Sequence, residues 1–161
     1  DMVTKIGVCE IANHNSSEQI VISGHTKAVQ ELVNNASKFS IKRALLLNVS
    51  APFHCSLMMP AQIRLQNELK EINFNVPDLP IICNYTAASE NNPEKLKENI
   101  INQVTNKVRW KETMEYALNK NINKVLECGS GKVLSGLFKR FSKDFNVYNI
   151  ETIEELKKIE I

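Results

Sequence analysis

From residue 44 onward, short apolar runs alternate with longer stretches of helical periodicity, and few architectures tolerate that rhythm. Ala44 to Val49 reads as a strand ending at Ser50-Ala51-Pro52, and Ser56 to about Ile72 as a helix with Leu57, Met58, Ala61, Ile63, Leu65, Leu69 and Ile72 on its apolar side. Pro60 is tolerable there because it falls in the first turn. Leu79 to Tyr85, bounded by prolines before and polar residues after, predicts a buried strand, and Pro93 starts a helix through Gln103 or Val104. A second helix spans Trp110 to Leu118. Then follow a strand at Lys124 to Cys128, a tight turn at Gly129-Ser130-Gly131, a helix at Lys132 to Phe141, a strand at Asn146 to Ile150 and a terminal helix at Ile153 to Ile159. Strands separated by helices imply parallel βα units in a doubly wound, three-layer α/β body, with its ligand site off the carboxyl ends of the strands.

The opening segment breaks the rhythm. Lys5 to Ala12 and Gln19 to Ser23 read as two strands joined by the polar Asn13-His14-Asn15-Ser16-Ser17, and Thr26 to Phe39 as an amphipathic helix through Ala28, Val29, Leu32, Val33 and Ala36. Strand, strand, helix predicts a small antiparallel α+β appendage on the larger body.

Charge and cysteine usage exclude several function classes. The 20 basic and 18 acidic residues are scattered, not gathered into the stripe that neutralises a phosphate backbone, so nucleic acid is not an expected partner. The longest apolar runs fall far short of the roughly 20 residues that span a bilayer, and no charged-then-apolar leader opens the chain. A soluble, cytoplasmic protein with no membrane partner is expected. Cys9, Cys55, Cys83 and Cys128 lack the C-x-x-C spacing of metal or redox motifs, so free thiols in a reducing compartment and no metal site are expected.

Three features carry chemistry. His54 sits in Val49-Ser50-Ala51-Pro52-Phe53-His54-Cys55-Ser56, a loop between a strand's end and a helix; this suits a general base, since imidazole titrates near neutrality, and equally suits a surface or capping histidine. Glu127 to Leu137 resembles a glycine-rich phosphate loop, but a G-x-x-x-x-G-K-[ST] motif would need glycine at Leu126 and Ser or Thr at Val133, so a tight strand-to-helix turn is the better reading. Asn13 to Gln19, and Gln103 far along the chain, read singly as turn formers and a solvated helix amide.

In this order the three resemble one family. Asn13-x-Asn15-Ser16 followed by Gln19 to Gly24 is similar to the A-N-x-N-S-x-x-Q-x-V-I-S-G stretch of malonyl-CoA:acyl carrier protein transacylases of the bacterial fatty-acid-synthesis type. Val49 to Met58 resembles their catalytic-histidine block, Gln103 with Val108 and Trp110 their Q-x-x-x-x-V-x-W pattern, and Glu127 to Arg140 their closing E-x-G-x-G-x-V-L-x-G-L-x-K-R.

The resemblance implies the C-terminal part of an α/β-hydrolase-like domain, residues 43–161, with a partial ferredoxin-like subdomain at residues 1–42. It implies transfer of malonyl from malonyl-CoA to the phosphopantetheine thiol of acyl carrier protein through a malonyl-serine ester. By the same match His54 is the base, and Gln103 marks the segment whose backbone carbonyl fixes the imidazole. Asn13 and Asn15 lie near the pantetheine arm, and the bulky Phe53 favours malonyl over its methyl-branched homologue. No cofactor is implied, coenzyme A entering as the thioester substrate. The chain departs from the pattern in lacking any G-x-S-x-G elbow, and Arg43, Arg64, Arg109 and Arg140 all fall in segments matching other parts of it. Together with Asp1 at the start, this creates the expectation of a fragment whose N-terminal half, carrying the serine, is a missing partner. A Cys-His hydrolase using Cys55 is the less favoured chemistry, because neighbouring side chains tend to point apart. The alternative of another class is a degenerate acyltransferase half that only docks a carrier protein.

Overall fold

The computed structural model describes residues 5–159, so residues 1–4 and 160–161 of the two expected domains lie outside the described residues. The chain forms two compact units, Asp1–Trp110 and Lys111–Ile161. Its class is α/β, with helices and short strands interleaved.

In the first unit β1 (Cys9–His14) and β2 (Ile20–Gly24) pair antiparallel, with the register shifting between Ile11 and Asn13. Gly24 ends β2 where a Cβ would lie 2.1 Å from the Val8 carbonyl oxygen, so only glycine lets the chain pass and the His25 N–H reach that same oxygen at 2.9 Å. Helix α1 (Thr26–Asn35) follows and buries Ala28 completely before ending in a 3-10 turn at Ala36–Phe39. The order strand, strand, helix is the one the pattern predicts, with the first strand at Cys9–His14 where Lys5–Ala12 was expected.

A 3-10 turn at Ser56–Met58 leads into α2 (Met59–Leu69), with Pro60 in its first turn. Strands β3 (Ile81–Cys83) and β4 (Ala88–Glu90) make an antiparallel hairpin whose turn closes through the Ala87 N–H on the Cys83 carbonyl, 2.8 Å. Helix α3 (Pro93–Asn102) begins where the Asn92 side chain accepts the Lys95 N–H at 3.0 Å, with proline at the position where a missing N–H costs least. Beyond α3 the chain returns to β1: the Val108 N–H donates to the Ala12 carbonyl (2.8 Å) and the Val108 carbonyl accepts from His14 N–H (2.9 Å), a parallel bridge at Asn13.

Helix α4 (Trp110–Asn119) runs into the second unit, a βαβ crossover: β5 (Lys124–Cys128), α5 (Val133–Phe141) and β6 (Asn146–Ile150), the strands parallel and in register from Lys124 opposite Asn146 to Cys128 opposite Ile150. Met114, Ala117, Leu137, Phe138 and Phe145 are its buried apolar residues, and the Phe138 and Phe145 rings meet edge to face at 4.8 Å. A short α6 (Ile153–Leu156) closes it with a reciprocal cap between Thr152 and Glu155.

Two expectations are corrected. Residues 44–49 are not a strand, and the only parallel ladder among the described residues is β5–β6, so the doubly wound sheet expected from residue 44 is not continuous in this chain. The apolar pattern there favours an extended strand, but a strand exists only where a neighbour supplies ladder partners. Leu45, Leu46, Leu47 and Val49 are instead each about 60% exposed, and the segment's one backbone bond is local, Val49 N–H to the Leu47 carbonyl. Conversely Ala88–Glu90, in the polar stretch that bounds the Leu79–Tyr85 run, is itself a strand because β3 lies beside it. No helix among the described residues is long and apolar enough to cross a membrane.

Candidate active site

The first unit brings two of the predicted residues together. His54 lies in the loop before α2 with φ +58°, a left-handed conformation that costs a non-glycine residue roughly 1–2 kcal/mol and needs support from its surroundings. Its Nδ1 is 2.8 Å from the backbone carbonyl oxygen of Gln103 at the end of α3. A carbonyl only accepts, so Nδ1 carries the proton and donates, which leaves the Nε2 lone pair unused. The Gln103 N–H remains in the helix, on the Asn99 carbonyl at 3.0 Å, so the carbonyl is offered from a fixed helix end.

The loop is pinned on both sides of His54. Cys55 is fully buried, and its thiol donates to the Pro52 carbonyl at 3.1 Å. Ser56 donates twice to Glu10 of β1, its N–H to Oε2 at 2.8 Å and its hydroxyl to Oε1 at 2.6 Å. Glu10 was not singled out in the sequence; the available signal was a carboxylate in a strand otherwise apolar at its start, with no neighbour in sequence to say what it caps. Farther along, the Thr105 hydroxyl donates to the side-chain oxygen of Gln62 on α2, tying the segment after Gln103 to the helix that follows His54.

Asn13 lies on β1 beside the Val108 bridge, and Asn15 in the following turn, its N–H on the Gln19 carbonyl at 3.1 Å. Both are half-buried, and no hydrogen bond among the described residues joins either side chain to His54 or Gln103. Phe53, beside His54, is 47% exposed. Arg109 is held by its own neighbours, its guanidinium donating to the Thr86 carbonyl at 2.9 Å.

Neither Cys55 nor Cys9 is a competing nucleophile beside His54. The Cys55 thiol is buried and already a donor, while the Cys9 thiol is pushed above its ordinary pKa by burial first, then by the neighbouring Cys55 and Glu10. No cluster of three or more His, Cys, Asp or Glu side chains among the described residues could hold a metal ion.

In the second unit the glycine loop is filled from within. The Glu127 carboxylate accepts the N–H groups of Leu134 (3.0 Å) and Ser135 (2.7 Å) at the start of α5, where a phosphate would have to bind. The Ser135 side chain, with the Ser135 and Leu134 N–H groups, holds Glu127 below the usual carboxylate pKa. Gly131 sits at φ +86°, its N–H donating to Glu151 and its carbonyl accepting from Asn149 at 2.7 Å. The loop is a structural turn with its own anion.

An imidazole fixed in one tautomer in the loop before α2, its other nitrogen without a hydrogen-bond partner among the described residues, is a proton-transfer device of the kind acyl-transfer chemistry needs. The chain belongs to the family of the acyl transferase domain, which it matches over residues 6–144. It is similar to the malonyl CoA-acyl carrier protein transacylase of Escherichia coli strain K12, with 40% identity over 128 residues, covering 80% of this chain and 41% of that protein. The crystal structure of acyl-carrier-protein-S-malonyltransferase from Bartonella henselae matches with a TM-score of 0.92 and 44% identity, over 97% of this chain and 50% of that one. A malonyl-transacylase solved in complex with a type II PKS acyl-carrier protein matches with a TM-score of 0.92 and 33% identity, over 97% of this chain and 50% of that one. The chain spans about half the length of the curated relatives it matches.

Proposed function

We propose that this chain supplies the general-base half of a malonyl-CoA:acyl carrier protein transacylase, acting with an N-terminal half that bears the nucleophilic serine. The observation that carries the reading is the 2.8 Å bond from His54 Nδ1 to the Gln103 carbonyl, which leaves Nε2 as a base. In the first half-reaction Nε2 takes the serine proton as the oxygen attacks the thioester carbonyl, and the imidazolium returns that proton to the departing coenzyme A sulfur. In the second, Nε2 takes the proton of the carrier's phosphopantetheine thiol, the thiolate attacks the malonyl-serine ester, and the serine oxygen recovers the proton. One imidazole serves both halves because each ends with Nε2 deprotonated.

In this reading Asn13 and Asn15 lie along the pantetheine arm, where side-chain amides can pair with pantetheine's own, and Phe53 biases the site toward malonyl by an amount that one methyl sets at about 1–3 kcal/mol. Residues 1–42 are the partial ferredoxin-like subdomain and 43–161 the C-terminal part of the α/β-hydrolase-like domain. The reaction needs no resident cofactor, and a cytoplasmic location goes with the fatty-acid-synthesis role. A module that only docks carrier protein would have no use for an imidazole held in one tautomer. The test is malonyl transfer by the chain joined to a serine-bearing N-terminal half: His54→Ala should abolish it while malonyl-CoA still binds, and near-normal turnover would refute the reading.

A further inference from the structure

The His54 loop owes its shape to a residue far from it in sequence, and we infer that Glu10 is a positioning residue for the base. The inference rests on the reading of His54 as that base. Cys55, at the cap position of the 3-10 turn, makes no side-chain cap bond, so the first N–H of the turn would be left without a protein acceptor. Glu10 fills the position from β1, one carboxylate oxygen on the Ser56 N–H at 2.8 Å and the other on the Ser56 hydroxyl at 2.6 Å. Two charge-assisted bonds to one residue fix its orientation as well as its place. His54, two residues before Ser56, is held at φ +58°, a conformation that a free loop would leave. Its ring reaches the Gln103 carbonyl only while the backbone stays there.

The same strand also sets the other partner of that bond. Ala12 and His14 of β1 hold Val108 on both sides, and Val108 ends the short segment that leaves α3 at Gln103. One end of β1 therefore fixes the imidazole's backbone, and the other fixes the run that follows its acceptor. Glu10 touches no reacting atom; it acts through Ser56.

The test uses this chain with 15N-labelled histidine, joined to an unlabelled N-terminal half, so that His14, His25 and His54 are the only labelled rings. His25 is the internal control, because its Nδ1 accepts the Val8 N–H at 2.9 Å and its proton must therefore sit on Nε2, the opposite tautomer to His54. In long-range 1H–15N spectra Glu10→Ala should divide His54 between both tautomers and leave His25 unchanged. Malonyl transfer should lose about tenfold in kcat per folded molecule, with KM for malonyl-CoA within about twofold. Glu10→Gln, which keeps an acceptor for the Ser56 N–H and an amide for its hydroxyl, should restore most of both. An unchanged His54 spectrum and kcat in Glu10→Ala would overturn the inference, and so would Glu10→Gln as damaging as Glu10→Ala, which would mean that charge rather than position is at work.

Should Glu10→Ala not fold, Ser56→Ala and Glu10→Gln decide. Ser56→Ala, which removes the hydroxyl bond and keeps the N–H bond, should cost about two- to fivefold in kcat and divide His54 between tautomers in the same spectra, while Glu10→Gln leaves both near the parent. An unchanged His54 spectrum and kcat in Ser56→Ala would overturn the inference. Full turnover in His54→Ala would instead refute the reading of His54 as base while leaving the tautomer result standing.

Discussion

Replacing His54 by alanine and by glycine separates its chemistry from the strain it carries. Alanine removes the imidazole but must still occupy φ +58°, whereas glycine takes that conformation without a steric penalty. The glycine variant should be the more stable by about 1 kcal/mol, the lower end of the left-handed cost, since glycine's extra unfolded-state freedom offsets part of the gain. Neither variant keeps a group at the position of Nε2, so both should lose the general-base contribution of roughly 10²- to 10⁴-fold in kcat, or about 3–5 kcal/mol of barrier. The loss should not fall on binding, because the base acts on the proton in flight, so KM for malonyl-CoA should stay near the parent value. The assay is malonyl transfer to carrier protein by the chain joined to a serine-bearing half, run beside urea unfolding of each variant. Activity that tracked stability, glycine well above alanine, would refute the argument by making His54 a structural residue.

Four other outcomes follow from particular contacts. Gln103→Ala should keep kcat within about threefold, because the acceptor is the backbone carbonyl; a larger loss in transfer assays would assign the side chain a role of its own. Gly24→Ala should cost about 3 kcal/mol or more by chemical denaturation, since its Cβ would stand 2.1 Å from backbone oxygen that cannot move aside. Because Glu127 has a lowered pKa when folded, its contribution is present above the ordinary carboxylate range and is lost as pH falls through the folded value; Glu127→Gln should therefore flatten the acid side of a plot of unfolding midpoint against pH, and an unchanged slope would remove Glu127 as its source. The chain expressed by itself should transfer no malonyl, having no G-x-S-x-G nucleophile, and should self-associate through the apolar residues at 45–49; a monomeric, cooperatively unfolding, active preparation would refute both the placement of the nucleophile and the reading of that surface.

Most helices were legible because their signals are local. Pro93 at a first helical position is a signal read within a single turn, and α3 begins where it indicates. The β5–α5–β6 crossover was equally readable, since each strand finds its partner inside the same short segment. Residues 44–49 failed for the opposite reason. Their pattern states a preference for extended backbone, while pairing depends on what lies alongside, and nothing in the run encodes a neighbour. The hairpin at β3–β4 shows the converse, a polar stretch recruited as a strand because an apolar one folds back on it.

The site divides along the same line. His54 and Gln103 were found through motifs that the family resemblance supplied, and their separation of 49 positions carries no local signal that one holds the other. What makes the contact possible is β1, whose Glu10 and Ala12 look like unrelated strand residues until Ser56 and Val108 are seen against them. A base needs its tautomer fixed more than it needs a particular neighbour in sequence, and tautomer is set by whichever acceptor the fold brings to Nδ1. In this chain that acceptor is a backbone carbonyl, which every residue possesses. The identity of residue 103 therefore cannot reveal the bond, whereas the helix end and the strand that carry the carbonyl to within 2.8 Å of the ring can.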